Sequence, residues 1–147
     1  MIPRPPTIYV DPGVKYAGWC VGAGGVLIAA DKTDREHLPL MADTVMPCPH
    51  RCVMERPWGV QAIKEGKKGS TLQDILDLTL AAGEYAGHFD QRVYLMPYPA
   101  PKPIRHERAL EALDRHELAR LPRQKTYRQH TLCAVYMFLR DVGRITA

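Results

Sequence analysis

The sequence predicts an α/β fold with a mixed five-stranded sheet, an antiparallel meander followed by parallel strands, flanked by helices. Three observations favour this class. The first 30 residues contain three short apolar runs separated by glycine-containing turns, which is the pattern of a meander. Later apolar runs alternate with helical patterns, as they do in parallel sheets. Two of the apolar runs end in a carboxylate that is followed by a proline-containing turn.

The first strand lies within residues 7–13 and carries an acid at its end. It reads TIYVDPG, a β-branched and aromatic run. The strand stops after Asp11, because Pro12 cannot donate to a sheet and Gly13 permits a tight turn. The apolar runs at residues 17–21 and 25–30 complete the predicted meander.

A second acid ends the fourth apolar run, at residues 52–55, before Arg56 and Pro57. If its strand is parallel and adjacent to the first, Glu55 and Asp11 lie at the same edge of the sheet. Ligand-binding and catalytic groups of open α/β sheets gather at that edge. The alternative is that both residues are ordinary turn acids.

Proline breaks and helical spacing define the other elements. Prolines near residues 38–41 favour a short helix there. Ser70 or Thr71 is expected to cap the next helix. The later elements are a strand at residues 92–96, a stiff proline-rich connector at 97–103, a helix from about 104 to 121 and a last helix from about 126 to 143.

Helical spacing also predicts which side chains face the core. After residue 71 the inward stripe is Leu72, Ile75, Leu76, Thr79, Leu80, Gly83 and Ala86. In the helix from 104 to 121 the inward residues are Ile104, Ala109, Leu110, Leu113 and Leu118, and the outward ones are Arg105, Arg108, Arg115 and Arg120. One face of the last helix carries His130, Cys133, Ala134, Met137 and Asp141, which is expected to direct His130 toward the strand-end acids.

Length and composition predict a single domain over residues 1–147, with residues 1–6 as a short tail. The chain is 46% hydrophobic, which is enough for one sizeable core. It has no run of about 18 uncharged apolar residues and begins without an apolar signal core, so a soluble, cytoplasmic protein without a membrane partner is expected. Its four cysteines are scattered and are expected to be free thiols.

The basic residues are concentrated in the C-terminal part of the chain. Residues 1–91 hold nine Lys and Arg against eleven Asp and Glu, whereas residues 92–147 hold eleven against five. Such asymmetry favours a polyanion lying against one face, because neutralised phosphates release counterions. A well-solvated helical surface is the alternative interpretation.

Residues 56–70 form a Gly- and Lys-rich connection that is expected to be functional or mobile. Its lysines are candidates for phosphate contacts, and its tryptophan either stacks on an exposed base or fills the core; these residues are Lys64, Lys67, Lys68 and Trp58.

A compact Cys-Pro-His-Arg-Cys segment suggests zinc. It comprises Cys48, His50 and Cys52. A structural zinc site needs four ligands and the sequence shows no fourth, so core cysteines beside a loop histidine are the preferred interpretation.

Taken in order, these pieces resemble the RuvC-type Holliday junction resolvases of the RNase H-like superfamily, and most closely their phage-type members. The resemblance covers nearly the whole chain. It is carried by IYVDPG at residues 8–13, VMERP at 53–57, PKPIRHER at 101–108 and HTLCAV at 130–135, with Gly-Arg at 143–144.

The resemblance implies roles for four residues. Asp11 would be the metal-bridging carboxylate, Glu55 the second ligand, and His130 a further ligand or a general acid/base. Cys133 stands where the family normally has Asp. A thiol is a soft and mostly protonated ligand, whereas Mg²⁺ prefers oxygen, so one ion would be held well and a second poorly. Asp141 lies roughly 12 Å further along the helix, too far to substitute.

The resemblance further implies a Mg²⁺- or Mn²⁺-dependent endonuclease that hydrolyses phosphodiesters in four-way or branched DNA. It would be a homodimer, because a four-way junction is two-fold symmetric. It would be found in the cytoplasm, with the nucleoid or in an infected host. Its phosphate contacts would be Lys64, Lys67, Lys68, Lys102, Arg105 and Arg108, with Trp58 beside them.

Two other classes of function stay open. The first is a catalytically weakened relative that binds branched DNA without cutting it, with Cys133 as the mark of lost activity. The second is an ATP-binding domain of the actin and sugar-kinase type, which shares the sheet topology. The short chain and the lack of a second glycine-rich phosphate loop disfavour the ATP-binding domain.

Overall fold

The computed structural model describes residues 6–46, 51–55, 72–89, 91–95 and 101–146. Within these ranges the chain forms five strands and five helices. They are β1 (Thr7–Asp11), β2 (Tyr16–Ala23), β3 (Val26–Asp34), α1 (Leu38–Val45), β4 (Arg51–Glu55), α2 (Leu72–Gly87), β5 (Gln91–Leu95), α3 (Lys102–Ala112), α4 (Arg115–Leu118) and α5 (Lys125–Asp141).

The strands form one mixed sheet in the order β3-β2-β1-β4-β5. The pairs β1/β2 and β2/β3 are antiparallel, and the pairs β1/β4 and β4/β5 are parallel. The predicted meander and the predicted parallel strands are therefore confirmed. Because Val10 of β1 pairs with Met54 of β4, Asp11 and Glu55 follow at the same edge of the sheet.

Each face of the sheet has its own apolar core. Successive side chains of a strand point to opposite faces. Tyr9 and Val53 therefore point to the side of α3 and α5, while Ile8 and Val10 pack toward α1 and α2. The same alternation directs Asp11 and Glu55 to the α5 side, two residues beyond Tyr9 and Val53.

Two glycines of β2 let α5 approach the sheet closely. A Cβ atom at Gly18 would overlap the carbonyl oxygen of His130, and one at Gly22 would lie 2.5 Å from the ring of Phe138. The Phe138 ring meets the edge of Tyr9, with centroids 5.6 Å apart. Any side chain at these glycines would push the helix away from the sheet.

The predicted inward stripe of α2 is wrong in part. Leu76 and Leu80 are 49% and 66% exposed, and Gly83 is exposed too. The helix buries Ala86, as predicted, together with Ala81, Ala82 and Tyr85. Small side chains let this face approach the sheet, whereas the leucines on the neighbouring face remain in solvent.

The predicted helix from 104 to 121 is two helices, because the chain turns at Leu113 and Asp114. Asp114 then caps α4 by a capping box with Glu117. Ile104 and Leu118, predicted to be inward, are 47% and 40% exposed.

Glu117 lies at the centre of a buried polar cluster that ties α4 to β3 and to the chain end. Its side chain is 1% exposed. Its two carboxylate oxygens accept hydrogen bonds of 2.7 Å from both terminal nitrogens of Arg144 and one of 2.8 Å from the backbone of Leu27. Burial alone would raise the pKa of Glu117, but these donors lower it to about 2.

Several predictions fall on residues that the structure does not describe. They are the tail at residues 1–5, the zinc candidates Cys48 and His50, the loop at 56–70 and the cap at Ser70 or Thr71. Of the cysteines, Cys20, Cys52 and Cys133 are described, and each is a buried free thiol as expected. Among the described helices, none has the length and apolar character to cross a membrane.

Candidate active site at the edge of the sheet

The two strand-end acids meet, as the sequence predicts. Asp11 ends β1 and Glu55 ends β4, and both side chains are partly buried on the α5 side. Burial, and next the negative charge of Glu55, raise the pKa of Asp11 to about 6. A neighbouring carboxylate and partial burial both disfavour the ionised form of Asp11. A bound cation would relieve this repulsion.

Helix α3 places two cations beside the acids. The Nη1 atom of Arg105 lies 3.5 Å from a carboxylate oxygen of Glu55. The charges of Lys102 and Arg105 both act to lower the pKa of Asp11, although burial and Glu55 outweigh them. The prediction that Arg105 points outward is wrong, because its side chain is only 12% exposed. It turns inward to reach Glu55.

One donor of Arg105 has no acceptor among the residues that the structure describes. Its Nε atom is buried and has no hydrogen-bond partner there. A buried donor without a partner costs free energy, and such donors are rare in folded proteins. The guanidinium group therefore adds positive charge at this edge, although its Nε–H group is enclosed by the protein.

Cys133 of α5 lies between Asp11 and a histidine that the sequence reasoning missed. Its thiol forms a hydrogen bond with Asp11, and its Sγ atom is 3.3 Å from Nε2 of His106. Burial, and then the charge of Asp11, raise the pKa of Cys133 to about 12. The side chain is therefore a neutral thiol at neutral pH. Helical spacing was the available signal for His106, because it shares one face of α3 with Lys102, Arg105 and Ala109.

His130 is placed beside cations. Its side chain is exposed, and its carbonyl oxygen packs against Gly18, which pairs with Asp11. Burial, then the charges of Lys32 and Lys102, lower the pKa of His130. Its neutral form is therefore favoured, and its roles as metal ligand and as acid or base stay predictions.

Asp141 does not belong to this site. Its Oδ2 atom accepts a hydrogen bond of 2.6 Å from the hydroxyl of Tyr9 and lies 3.7 Å from Nη1 of Arg51. Arg51 begins β4 and Tyr9 precedes Asp11 by two residues, so Asp141 lies toward the other end of the strands. The sequence argument that it is too far away to replace a ligand agrees with this position.

The donor set fits one hard cation better than two. Mg²⁺ is commonly held by one or two carboxylates with water and substrate oxygens completing its shell, and Asp11 with Glu55 offers this set. Cys133, as a neutral thiol, does not fit as an oxygen-like ligand for a second ion. Within the described ranges, no three His, Cys, Asp or Glu side chains form a ready-made metal cluster.

The predicted DNA contacts are placed in part. Lys102 is exposed in the first turn of α3, near the acids. The Nη2 atom of Arg108 donates a 2.9 Å hydrogen bond to the carbonyl of Thr146, which helps to fix the chain end. The candidates Trp58, Lys64, Lys67 and Lys68 lie outside the described residues, and their roles stay predictions.

The element order, the sheet and the edge acids define a class of fold. It is the RNase H-like fold in its RuvC arrangement, the class that the sequence predicts. No family model and no curated protein matches the chain. A similar solved structure is "T. thermophilus RuvC in complex with Holliday junction substrate", with a TM-score of 0.53, 12% sequence identity, and coverage of 95% of this chain and 97% of that chain. At this identity the likeness shows the fold.

Proposed function

We propose that this chain is a metal-dependent endonuclease that cuts branched DNA, with four-way junctions as its substrate. The observation that carries the proposal is the pair of acids, Asp11 and Glu55, on adjacent parallel strands at one sheet edge. The raised pKa of Asp11 marks this edge as a site where charge is concentrated. The similar structure was in complex with a Holliday junction substrate, which supports the choice of DNA.

The neighbouring side chains suit phosphodiester hydrolysis. Asp11 and Glu55 would hold one Mg²⁺ or Mn²⁺ ion, and when bound such an ion polarises a phosphoryl oxygen and lowers the pKa of its water. Arg105 would add positive charge beside the phosphate, since its Nη1 atom lies 3.5 Å from Glu55 at this edge. Lys102, which is exposed in the first turn of α3, adds positive charge near the acids, where adjacent phosphates would lie.

The test is cleavage of a labelled four-way junction beside a duplex of the same length, with Mg²⁺ or Mn²⁺. Symmetric nicks that need the metal and disappear in Asp11→Asn support the proposal. Glu111→Gln is a matched control, because Glu111 is an exposed carboxylate of α3 outside the described site. Nicks that persist in Asp11→Asn, or equal cutting of duplex and junction, would contradict the proposal.

One observation favours a second candidate function, a branched-DNA-binding protein with weak or no catalysis. Cys133 is a neutral thiol engaged by Asp11 and His106, so it adds no negative charge for a second ion. The same experiment separates the candidates. Tight binding of the junction without nicks, at every metal concentration, would indicate the binding protein.

We further propose a homodimer that presents two sites to a two-fold symmetric junction. The outer face of α2 supports this, because Leu76 and Leu80 are large apolar side chains left in solvent beside small residues. Leu80→Glu is expected to yield a monomer in sedimentation velocity. Leu40→Glu is the control, since Leu40 is equally exposed, at 69%, but lies on α1. A dimer that survives Leu80→Glu would place the interface elsewhere.

The sequence makes two finer predictions. One is membership among phage-type resolvases, and the other is a location in the cytoplasm, at the nucleoid or in an infected host. Cutting of a branched substrate would support the first of these indirectly, and imaging of the tagged protein in cells would test the second.

A further inference from the structure

Two exposed tyrosines hold one lysine between them on the α5 side of the sheet. The ammonium nitrogen of Lys32, on β3, lies 4.2 Å from the ring centroid of Tyr16 and 4.7 Å from that of Tyr127. Tyr16 begins β2, and Tyr127 lies in the first turn of α5. We call these three residues the tyrosine platform.

The platform is accessible to solvent. Its three side chains also restrain one another through cation–π contacts. The rings of Tyr16 and Tyr127 belong to residues that are 45% and 39% exposed. A cation over a ring face is held electrostatically, which restrains the lysine and both rings. Within the described part of the chain Lys32 forms no ion pair with a carboxylate, so its charge is not neutralised there.

The platform lies close to the edge acids. Asp11 pairs with Gly18 of β2, and Gly18 pairs with Lys32 of β3, so the three residues lie at one level across neighbouring strands. Two strand spacings put Lys32 roughly 10 Å from Asp11. His130 follows Tyr127 by about one turn of α5, and its carbonyl oxygen packs against Gly18.

We propose that the tyrosine platform binds an unpaired nucleotide of the branched DNA strand, with its base stacked on an exposed tyrosine ring and its phosphate at Lys32. Aromatic rings beside a basic group are the general means of binding unstacked bases without reading their sequence. The inference rests on the proposed function, because it assumes that branched DNA reaches the edge acids.

The surroundings favour a nucleic acid over an acidic peptide. The first turn of α5, which carries Tyr127, also carries the exposed basic residues Lys125 and Arg128, so further positive charge lies beside the platform. A nucleotide uses both features of the platform, since the base needs a flat apolar face and the phosphate needs a cation. At about 3.4 Å per nucleotide of a stacked strand, the platform would meet a nucleotide within roughly three positions of the cut.

The test compares binding of three DNA probes in EDTA, where a metal-dependent enzyme does not cut. The probes are a four-way junction, the same junction with abasic residues around the branch point, and a duplex. Wild type is expected to prefer the intact junction to the abasic one by roughly 5- to 150-fold, the usual range for one stacked base. Tyr127→Ala and Tyr16→Ala are expected to reduce this preference, whereas Tyr127→Phe and Tyr16→Phe keep it.

Lys32→Gln is expected to weaken binding to intact and abasic junctions alike and to lower the slope of log affinity against log salt by about 1. Lys15→Gln is the matched control, because Lys15 is an exposed lysine in the turn before β2 and outside the platform. Thermal melting of each variant checks that the fold is intact.

Each outcome decides the proposal. Three results would overturn the proposal that the platform binds a nucleotide. They are equal binding of intact and abasic junctions by wild type, an unchanged preference in both alanine variants, and no binding of any probe. If the preference exists and the alanine variants lose it, the platform is supported. It remains supported even when metal-dependent cutting is absent, which would refute only the nuclease.

Discussion

Two carboxylates on the α5 side of the sheet have pKa values that are shifted in opposite directions. Glu117 is almost fully buried, but its oxygens accept hydrogen bonds from Arg144 and from backbone N–H groups, and its pKa falls to about 2. Asp11 is partly buried beside a second carboxylate, Glu55, and its pKa rises to about 6. Two cations near Asp11 compensate for this only in part.

The difference separates a group that stabilises the fold from one held ready for a ligand. Every donor around Glu117 belongs to the chain itself, so ionised Glu117 lowers the free energy of the folded state. At Asp11, burial and the charge of Glu55 outweigh the attraction of Lys102 and Arg105, so the ionised form is disfavoured. Such an arrangement costs stability and is typical of functional sites. Substitutions at the two positions should therefore have opposite effects.

The largest expected effect is the loss of cutting in Asp11→Asn. Nicking of a four-way junction is expected to fall by about three orders of magnitude, because a ligand of the catalytic ion is lost. The melting temperature is expected to stay the same or to rise, since one of two mutually repelling carboxylates becomes neutral. A variant that unfolds would show instead that Asp11 stabilises the fold, as Glu117 does.

Glu117→Gln should show the reverse pattern. Removing one partner of a buried ion pair is expected to cost about 3 to 5 kcal/mol in the free energy of unfolding, because Arg144 loses its charged acceptor. Urea titration at neutral pH measures this. Glu111→Gln, an exposed carboxylate of α3, should change stability by less than about 0.5 kcal/mol. A loss below about 1 kcal/mol for Glu117→Gln would contradict the assigned role.

The two acids should also give opposite pH dependences of stability. The pKa of Glu117 is depressed from 4.5 to about 2, so its contribution of about 3 kcal/mol is complete above pH 4.5 and is lost as pH falls through 2. The pKa of Asp11 is raised from 3.8 to about 6, so stability falls by about 1 to 3 kcal/mol as pH rises through that window.

Difference measurements isolate each acid. The free energy of unfolding of wild type minus that of Glu117→Gln should shrink as pH falls below 4.5. The free energy of unfolding of wild type minus that of Asp11→Asn should become more negative as pH rises from 3.8 to 6. Parallel pH profiles for wild type and both variants would contradict the opposite shifts.

The smallest expected effect concerns the missing acid at Cys133. Cys133→Asp adds a carboxylate beside Asp11, so Mg²⁺ should raise the melting temperature of this variant more than that of wild type. The extra rise is expected to be about 2 to 4 °C, equivalent to about 1 kcal/mol of added binding. Cys133→Ser keeps the size without the charge and should behave as wild type. Equal shifts in all three proteins would show that residue 133 does not contact the ion.

The sequence by itself determined the sheet and its two edge acids. Local chemistry predicts where the strands TIYVD and RCVME end. Pro12 directly follows the first strand and Pro57 follows the second after one residue, and proline cannot donate to a sheet. Alternation along a strand then fixes the face of each side chain. For these reasons Asp11 and Glu55 could be assigned to one sheet edge on the condition that their strands are parallel neighbours, and the family resemblance identified Cys133 as an unusual residue beside them.

Only the tertiary structure decided what surrounds the acids. Three contacts depend on which faces of distant elements pack together. They are the inward orientation of Arg105 toward Glu55, the contact of His106 with Cys133, and the cation–π contacts of Lys32 with Tyr16 and Tyr127. Helical spacing defines a face but not its partner, which is also why Leu80 was expected inside and lies in solvent. The sequence specifies a side chain's position along its own element, whereas packing between elements decides its neighbours, its charge environment and therefore its pKa.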